Sequence, residues 1–292
     1  MKPLISVGEL IDQSWNAYKT HFTFFLQFSG WLVLVALLNV IGLLLYPNAG
    51  AIAFHTSFSA SEVIGVAIYG FSNLIVSPLL GFWVWVSLAI AAKSALQGKP
   101  ARVTDVMQET AKRYFPTLVV TILVALALLL IQLVTLGPSL LVGIIGFMTM
   151  NGIVFLVANA LLILGLFASL ILTSKWTLYY VMAPYASIFG LAKNKQALQQ
   201  SKALTKGKFW SVLFRLALPK IVFVLIYLLI AILLTVLFEA IIASGTSYNL
   251  DLQQRLLGLS DAIIPVLITI LLNPLIFLSD VLLYQSLNEQ AT

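Results

Sequence analysis

Six stretches of the chain are almost wholly apolar, near 23–46, 63–93, 115–136, 152–176, 221–243 and 261–284. Each offers the roughly 20 apolar residues that a spanning helix needs. The segments between them are short, and none is long and polar enough to fold as a separate soluble domain. Polar positions in front of the odd-numbered spans follow a helical period. Val7, Ile11, Trp15, Tyr18 and Phe22 recur at spacings of three and four, while Glu9, Asp12, Asn16 and Lys19 fall elsewhere. "SVGE" (6–9) reads as a capping box, with Ser6 as the N-cap and Glu9 reaching back. Such a helix should lie in the membrane interface. "TDVMQETAKRYF" (104–115), with an N-cap at Thr104, and "NKQALQQSKALTKGKFW" (194–210) read the same way, and Gly207 should end the latter helix.

Composition agrees with that pattern. The chain of 292 residues is 61% hydrophobic and 9% charged, with a mean hydropathy of +1.05. A soluble domain carries about 25% charged residues. The expected class is therefore an all-α integral membrane protein, with six transmembrane helices and three short cytoplasmic interfacial helices. The first residues hold Glu9, Asp12, Gln13 and Asn16 rather than the apolar core of a cleavable leader, so the first span should direct insertion itself. Cysteine is absent.

Charge orients the spans. Lys2 and Lys19 precede span one, and Lys93, Lys99, Arg102, Lys112 and Arg113 lie between spans two and three. Lys193, Lys195, Lys202, Lys206 and Lys208 lie between spans four and five, and Lys175, Arg215 and Lys220 sit at span ends on the same side. The other side holds only Arg255. The asymmetry places both termini in the cytoplasm. It also makes Lys19, Lys112, Arg113, Lys202, Lys206, Lys208 and Trp210 candidate contacts for anionic lipid headgroups, each lysine worth about 1 kcal/mol. Membrane lipids and a membrane protein are the expected partners. Nucleic acid is not, because no further aromatic follows Trp210 at a useful spacing on the cytoplasmic side.

An internal repeat underlies the layout. "IDQSWNAYKTHFTFFL" (11–26) and "LQQSKALTKGKFWSVL" (198–213) align without a gap, matching Gln13 with Gln200, Ser14 with Ser201, Lys19 with Lys206 and Phe22 with Phe209. "VSPLL" (76–80) in span two corresponds to "LNPLI" (272–276) in span six. Three units follow, 1–97, 98–190 and 191–292, each an interfacial helix and two spans within one membrane domain. Pro78, Pro219 and Pro274 are the expected helix kinks.

"SPLLGFWVWVSLAIAAKSALQGKP" (77–100), "LQQSKALTKGKFW" (198–210) and "NPLIFLSDVLLYQSL" (273–287) resemble the membrane domain that accompanies bacterial glycerophosphodiester phosphodiesterases, and related uncharacterised six-helix inner-membrane proteins. The resemblance implies residence in a prokaryotic cytoplasmic membrane. It does not imply phosphodiester hydrolysis, since in that family the hydrolase is a separate soluble barrel. It supplies no catalytic residue for the membrane part.

Little in the chain suggests catalysis. His21 and His55 are the two histidines and fall on opposite sides, no paired-carboxylate or HExxH motif occurs, and "LTKGKFW" lacks the pattern of a phosphate-binding loop. No catalytic residue, metal or cofactor is expected. Arg215, Lys220 and Asp280 fall at one depth near the inner ends of spans five and six. They form a candidate ion pair that either clips two helices or serves a substrate or proton. Gln27, Asn39, Asn73, Gln132, Asn159 and Asn273 either pack helices together or line a pathway. Gly165, Ser169 and Thr173 give span four a small-residue face. The uncharged connection 137–152 should be an interfacial helix or a re-entrant segment, and 47–61 is nearly as apolar. Two functions fit: a non-enzymatic lipid-associated or partner-serving membrane module, or a small-molecule transporter or channel.

Overall fold

The computed structural model describes residues 3–47, 57–98, 100–246 and 249–290. All regular structure among them is helical. In chain order the helices are α1 (Val7–Thr20), α2 (Phe22–Ser29), a 3-10 turn (Gly30–Leu32), α3 (Val33–Leu44), α4 (Ala60–Phe71), a π-helical segment (Ser72–Val76) and α5 (Ser77–Leu96). They continue as α6 (Val103–Thr149), α7 (Gly152–Tyr180), α8 (Ala183–Ile188), α9 (Asn194–Thr205), α10 (Phe209–Thr246) and α11 (Leu250–Glu289). Six helical stretches are long and apolar enough to cross a bilayer: Phe22–Leu44, Ala60–Leu96, Val103–Thr149, Gly152–Ile188, Phe209–Thr246 and Leu250–Glu289. The chain is an all-helical multi-pass membrane protein. His55, Lys2, Lys99 and most of the 47–61 connection lie outside the described residues.

Two sequence expectations need correction, and both concern α6. Residues 104–115 are not a separate interfacial helix, and 137–149 are neither re-entrant nor separate. One helix of 47 residues runs through both, with Pro116 and Pro138 inside it. Each proline removes one backbone donor. Breaking the helix in apolar surroundings would strand several more polar groups, so continuity is cheaper than a break. At 1.5 Å per residue α6 is about 70 Å long, more than twice the hydrocarbon thickness of about 30 Å.

By contact the chain forms two compact units. The larger comprises residues 5–110 and 216–283, and the smaller 111–215 with the two chain ends. In the larger unit α1 begins at the foreseen box: Ser6 Oγ accepts from the Glu9 amide at 3.2 Å, and Glu9 Oε2 accepts from the Ser6 amide at 2.9 Å. The face of α1 buried in protein is Leu10, Ser14 and Tyr18, which shares Tyr18 with the apolar stripe and otherwise lies about 100° round the helix from it, and Trp15 on the stripe is 43% exposed. The Tyr18 hydroxyl donates to the Leu271 carbonyl at 2.6 Å, and burial pushes its pKa up to about 12. That carbonyl adjoins the one at Ile270, which Pro274 leaves without its helical donor. Where α3 meets α4, a Cβ on Gly65 would stand 2.5 Å from the Leu45 carbonyl carbon, so only glycine permits this approach.

In the smaller unit α6 and α7 form an antiparallel hairpin. Met150, at φ 49°, makes the turn, and Asn151 caps α7 by accepting from the amides of Ile153 and Val154. Gln132 on α6 clips the pair: its Nε2 donates to Thr173 Oγ1 at 2.8 Å, and its Oε1 accepts from Ser169 Oγ at 2.7 Å. Gly165 lies against the Thr135 carbonyl with no room for a side chain. The small-residue face of Gly165, Ser169 and Thr173 is thus the seam of the hairpin.

Candidate functional site: charged pair, polar break and basic rim

Asp280 is buried in α11, and its Oδ1 lies 3.0 Å from Lys220 Nζ on α10, in the larger unit. Lys220 follows Pro219, which sits inside the continuous helix α10. Its side chain is about a third exposed. Arg215 donates to the Ser211 carbonyl and hydroxyl one turn back, at 3.1 and 3.3 Å. The helices run on through Pro219 and Pro274.

Span two behaves differently at its proline. Ahead of Pro78 the chain forms the π-helical segment, in which the Ser77 amide donates to the Ser72 carbonyl five residues back. Pro78 has no amide to give, so the Asn73 carbonyl has no helical donor in either an α or a π register. The Asn73 side chain donates to Asn39 Oδ1 at 3.0 Å and to the Tyr69 carbonyl at 2.9 Å. Ser72 Oγ is buried with no hydrogen-bond partner among the described residues. The neighbouring Leu74 is 79% exposed. Asn73 and Pro78, five residues apart, are the available sequence signal for this segment, beyond the bend expected at Pro78 and the packing or pathway role expected of Asn73. The capping box at Ser59 and Glu62, which starts α4, was also legible in "SASE" and was overlooked.

Lys112 and Arg113 lie within α6, and the other rim residues sit at or beside helix ends. Lys19 Nζ stands 5.8 Å from the Trp15 ring centroid on α1. Lys112 is exposed, and the Arg113 guanidinium packs over the backbone of Gly190, which turns the chain at φ +73°. Lys202 and Lys206 are exposed on and just after α9. Gly207, at φ +78°, ends that segment. Lys208 donates to Gln290 Oε1 at 2.8 Å, and Trp210 is 65% exposed, stacked on Phe214 at 5.8 Å.

Other intramembrane amides stand at separate places. In the larger unit Gln27 borders an open groove of about 400 Å³ beside Trp31 and Met107. In the smaller unit Asn159 borders an apolar groove of about 380 Å³ between Phe147 and Phe155. Among the described residues no three His, Asp or Glu side chains are grouped to hold a metal. Compared with known protein families, curated proteins and solved structures, the chain matches none of them.

Proposed function

We propose that this multi-pass protein is a non-enzymatic, lipid-associated module of a prokaryotic cytoplasmic membrane. In this reading its termini and basic rim face the cytoplasm, and the rim holds anionic headgroups or serves a membrane protein partner. One observation carries the proposal. Lysines accompany exposed aromatic side chains where amphipathic helices meet the spans, as in Lys19 with Trp15 and Lys206 and Lys208 ahead of Trp210. Aromatic rings favour the headgroup layer, and lysines there attract anionic lipid. The resemblance to the phosphodiesterase-associated membrane domain points the same way.

Support for a threefold repeat comes from local burial. The helices beginning at Val7, Val103 and Asn194 each bury a hydroxyl seven residues on, at Ser14, Thr110 and Ser201. The repeat then describes a recurring way of entering the membrane.

Reconstitution into nanodiscs tests the proposal. Tight association with phosphatidylglycerol over phosphatidylcholine, weakened by salt and by Lys→Gln changes at 19, 206 and 208, is the expected result. Equal association with both lipids would overturn it.

The π-helical segment favours a second reading, transport, since interrupted spanning helices present backbone carbonyls to substrates and ions. The chain has no cysteine, so Asn73→Cys offers a single probe site. Labelling by a membrane-impermeant maleimide would support a water-filled pathway, and complete protection would sink it.

A further inference from the structure

We infer that Lys175, Tyr179 and Lys202 form a discrete phospholipid site in the smaller unit, with a phosphate between the two ammonium groups. The inference rests on the lipid-associated reading and names where one lipid is held.

Lys175 and Tyr179 lie four residues apart on α7, so they share a face. Lys202 comes from a different element, α9. The Ser201 hydroxyl donates to the Tyr179 carbonyl at 2.6 Å and fixes α9 against the end of α7. Lys175 Nζ and Lys202 Nζ each stand 5.9 Å from the centroid of the Tyr179 ring. Neither lysine has a hydrogen bond or a carboxylate partner among the described residues. Two unneutralised cations held beside one ring draw an anion to that place. Lysine is a compact point charge suited to phosphate oxygens. The Tyr179 hydroxyl, likewise without a described partner, adds a donor.

The apolar surface distinguishes lipid phosphate from free phosphate. Going back along the same face in steps of four, α7 presents Ile171 and Phe167, which are 66% and 65% exposed. A free anion would use the cations and ignore this strip. A phospholipid uses both, with its headgroup at Lys175 and Lys202 and its chains along Ile171 and Phe167. Lys175 interrupts a run otherwise free of charge from residue 114 to 174, which places the cation at the end of an apolar wall.

Native mass spectrometry of the full chain in detergent, titrated with phosphatidylglycerol, tests the site. Lys175→Gln and Lys202→Gln should each weaken binding about fivefold, while Lys195→Gln, at the far end of α9, should leave it near the wild-type value. Lys175→Arg should retain binding, and inorganic phosphate should fail to displace the lipid. Wild-type affinity in both glutamine variants would overturn this site and leave the general lipid reading standing. Full displacement by inorganic phosphate would overturn the assignment to lipid. No preference of the wild-type chain for phosphatidylglycerol over phosphatidylcholine would overturn both readings together.

Discussion

The hairpin of α6 and α7 and the pairing of α10 with α11 solve one problem by different chemistry. Both need a polar contact inside apolar surroundings. The hairpin uses a neutral amide, Gln132, against two hydroxyls, and a glycine that lets two backbones touch. The other pair uses full charges, Lys220 and Asp280. A neutral clip is indifferent to pH and salt, and its strength depends on shape. A charge pair gains from low dielectric but carries a large desolvation penalty, so each partner depends on the other. The larger unit also uses charge elsewhere, in the Ser6–Glu9 box and in Arg255 with Asp251 at 3.2 Å. Acid should therefore act on the Glu9 cap and leave the Gln132 clip unchanged.

Breaking the charge pair should have the largest effect. Lys220→Met removes the ammonium that lies 3.0 Å from the buried Asp280 carboxylate. Loss of one partner of a buried pair costs about 3–5 kcal/mol, and the partial exposure of Lys220 reduces that to about 2–3 kcal/mol. Combining it with Asp280→Leu should recover most of the loss. Thermal unfolding in detergent measures both. A single variant as stable as the wild type would remove the basis for contrasting the two regions.

Gly165→Val should come next. The added carbons meet the Thr135 carbonyl, and overpacking of this kind costs about 1–3 kcal/mol. Gln132→Leu should cost about 1 kcal/mol, typical of a hydrogen bond between spanning helices. Both losses should be equal at acid and neutral pH. A pH-dependent loss in either would show that the hairpin is not a purely neutral seam.

What the sequence made legible follows the same divide between local and distant chemistry. The six apolar runs, the Ser6 cap and the stop at Gly207 depend on neighbours in the chain, and they could be read from spacing alone. The continuity of α6 through Pro116 and Pro138 could not. Rules for proline as a helix end assume that water will satisfy the freed backbone groups, and an apolar environment withdraws that alternative. The approach of Lys202 to Tyr179 was also hidden, because it depends on the bond from Ser201 to a carbonyl 22 residues earlier. The four-residue spacing of Lys175 and Tyr179 was visible but gave no sign of the third member. On α1 the period was legible, and the protein-facing side at Leu10 and Ser14 was not, since an interfacial helix has two neighbours, protein and lipid, and period alone does not assign them.

The smallest effect concerns Glu9, and it isolates charge in the larger unit from packing. Its carboxylate accepts from the Ser6 amide and then the Ser6 hydroxyl, and these bonds lower its pKa from the ordinary 4.5. A lowered folded-state pKa means that the folded chain favours the ionised form. The resulting stability is fully present above the ordinary value and is lost as pH falls through the lowered one. The first turn of α1 should therefore fray only in acid, while the contacts of Gln132 persist. Carboxyl-carbon NMR of Glu9 gives the midpoint directly. Ser6→Ala should raise that midpoint toward the ordinary value, because the hydroxyl bond is gone and the frayed turn no longer presents the amide. Glu9→Gln should remove the acid transition of this turn altogether. An unchanged midpoint in Ser6→Ala would mean that the carboxylate is held by something other than the cap, and the start of α1 would then no longer belong with the charge-built half of the comparison.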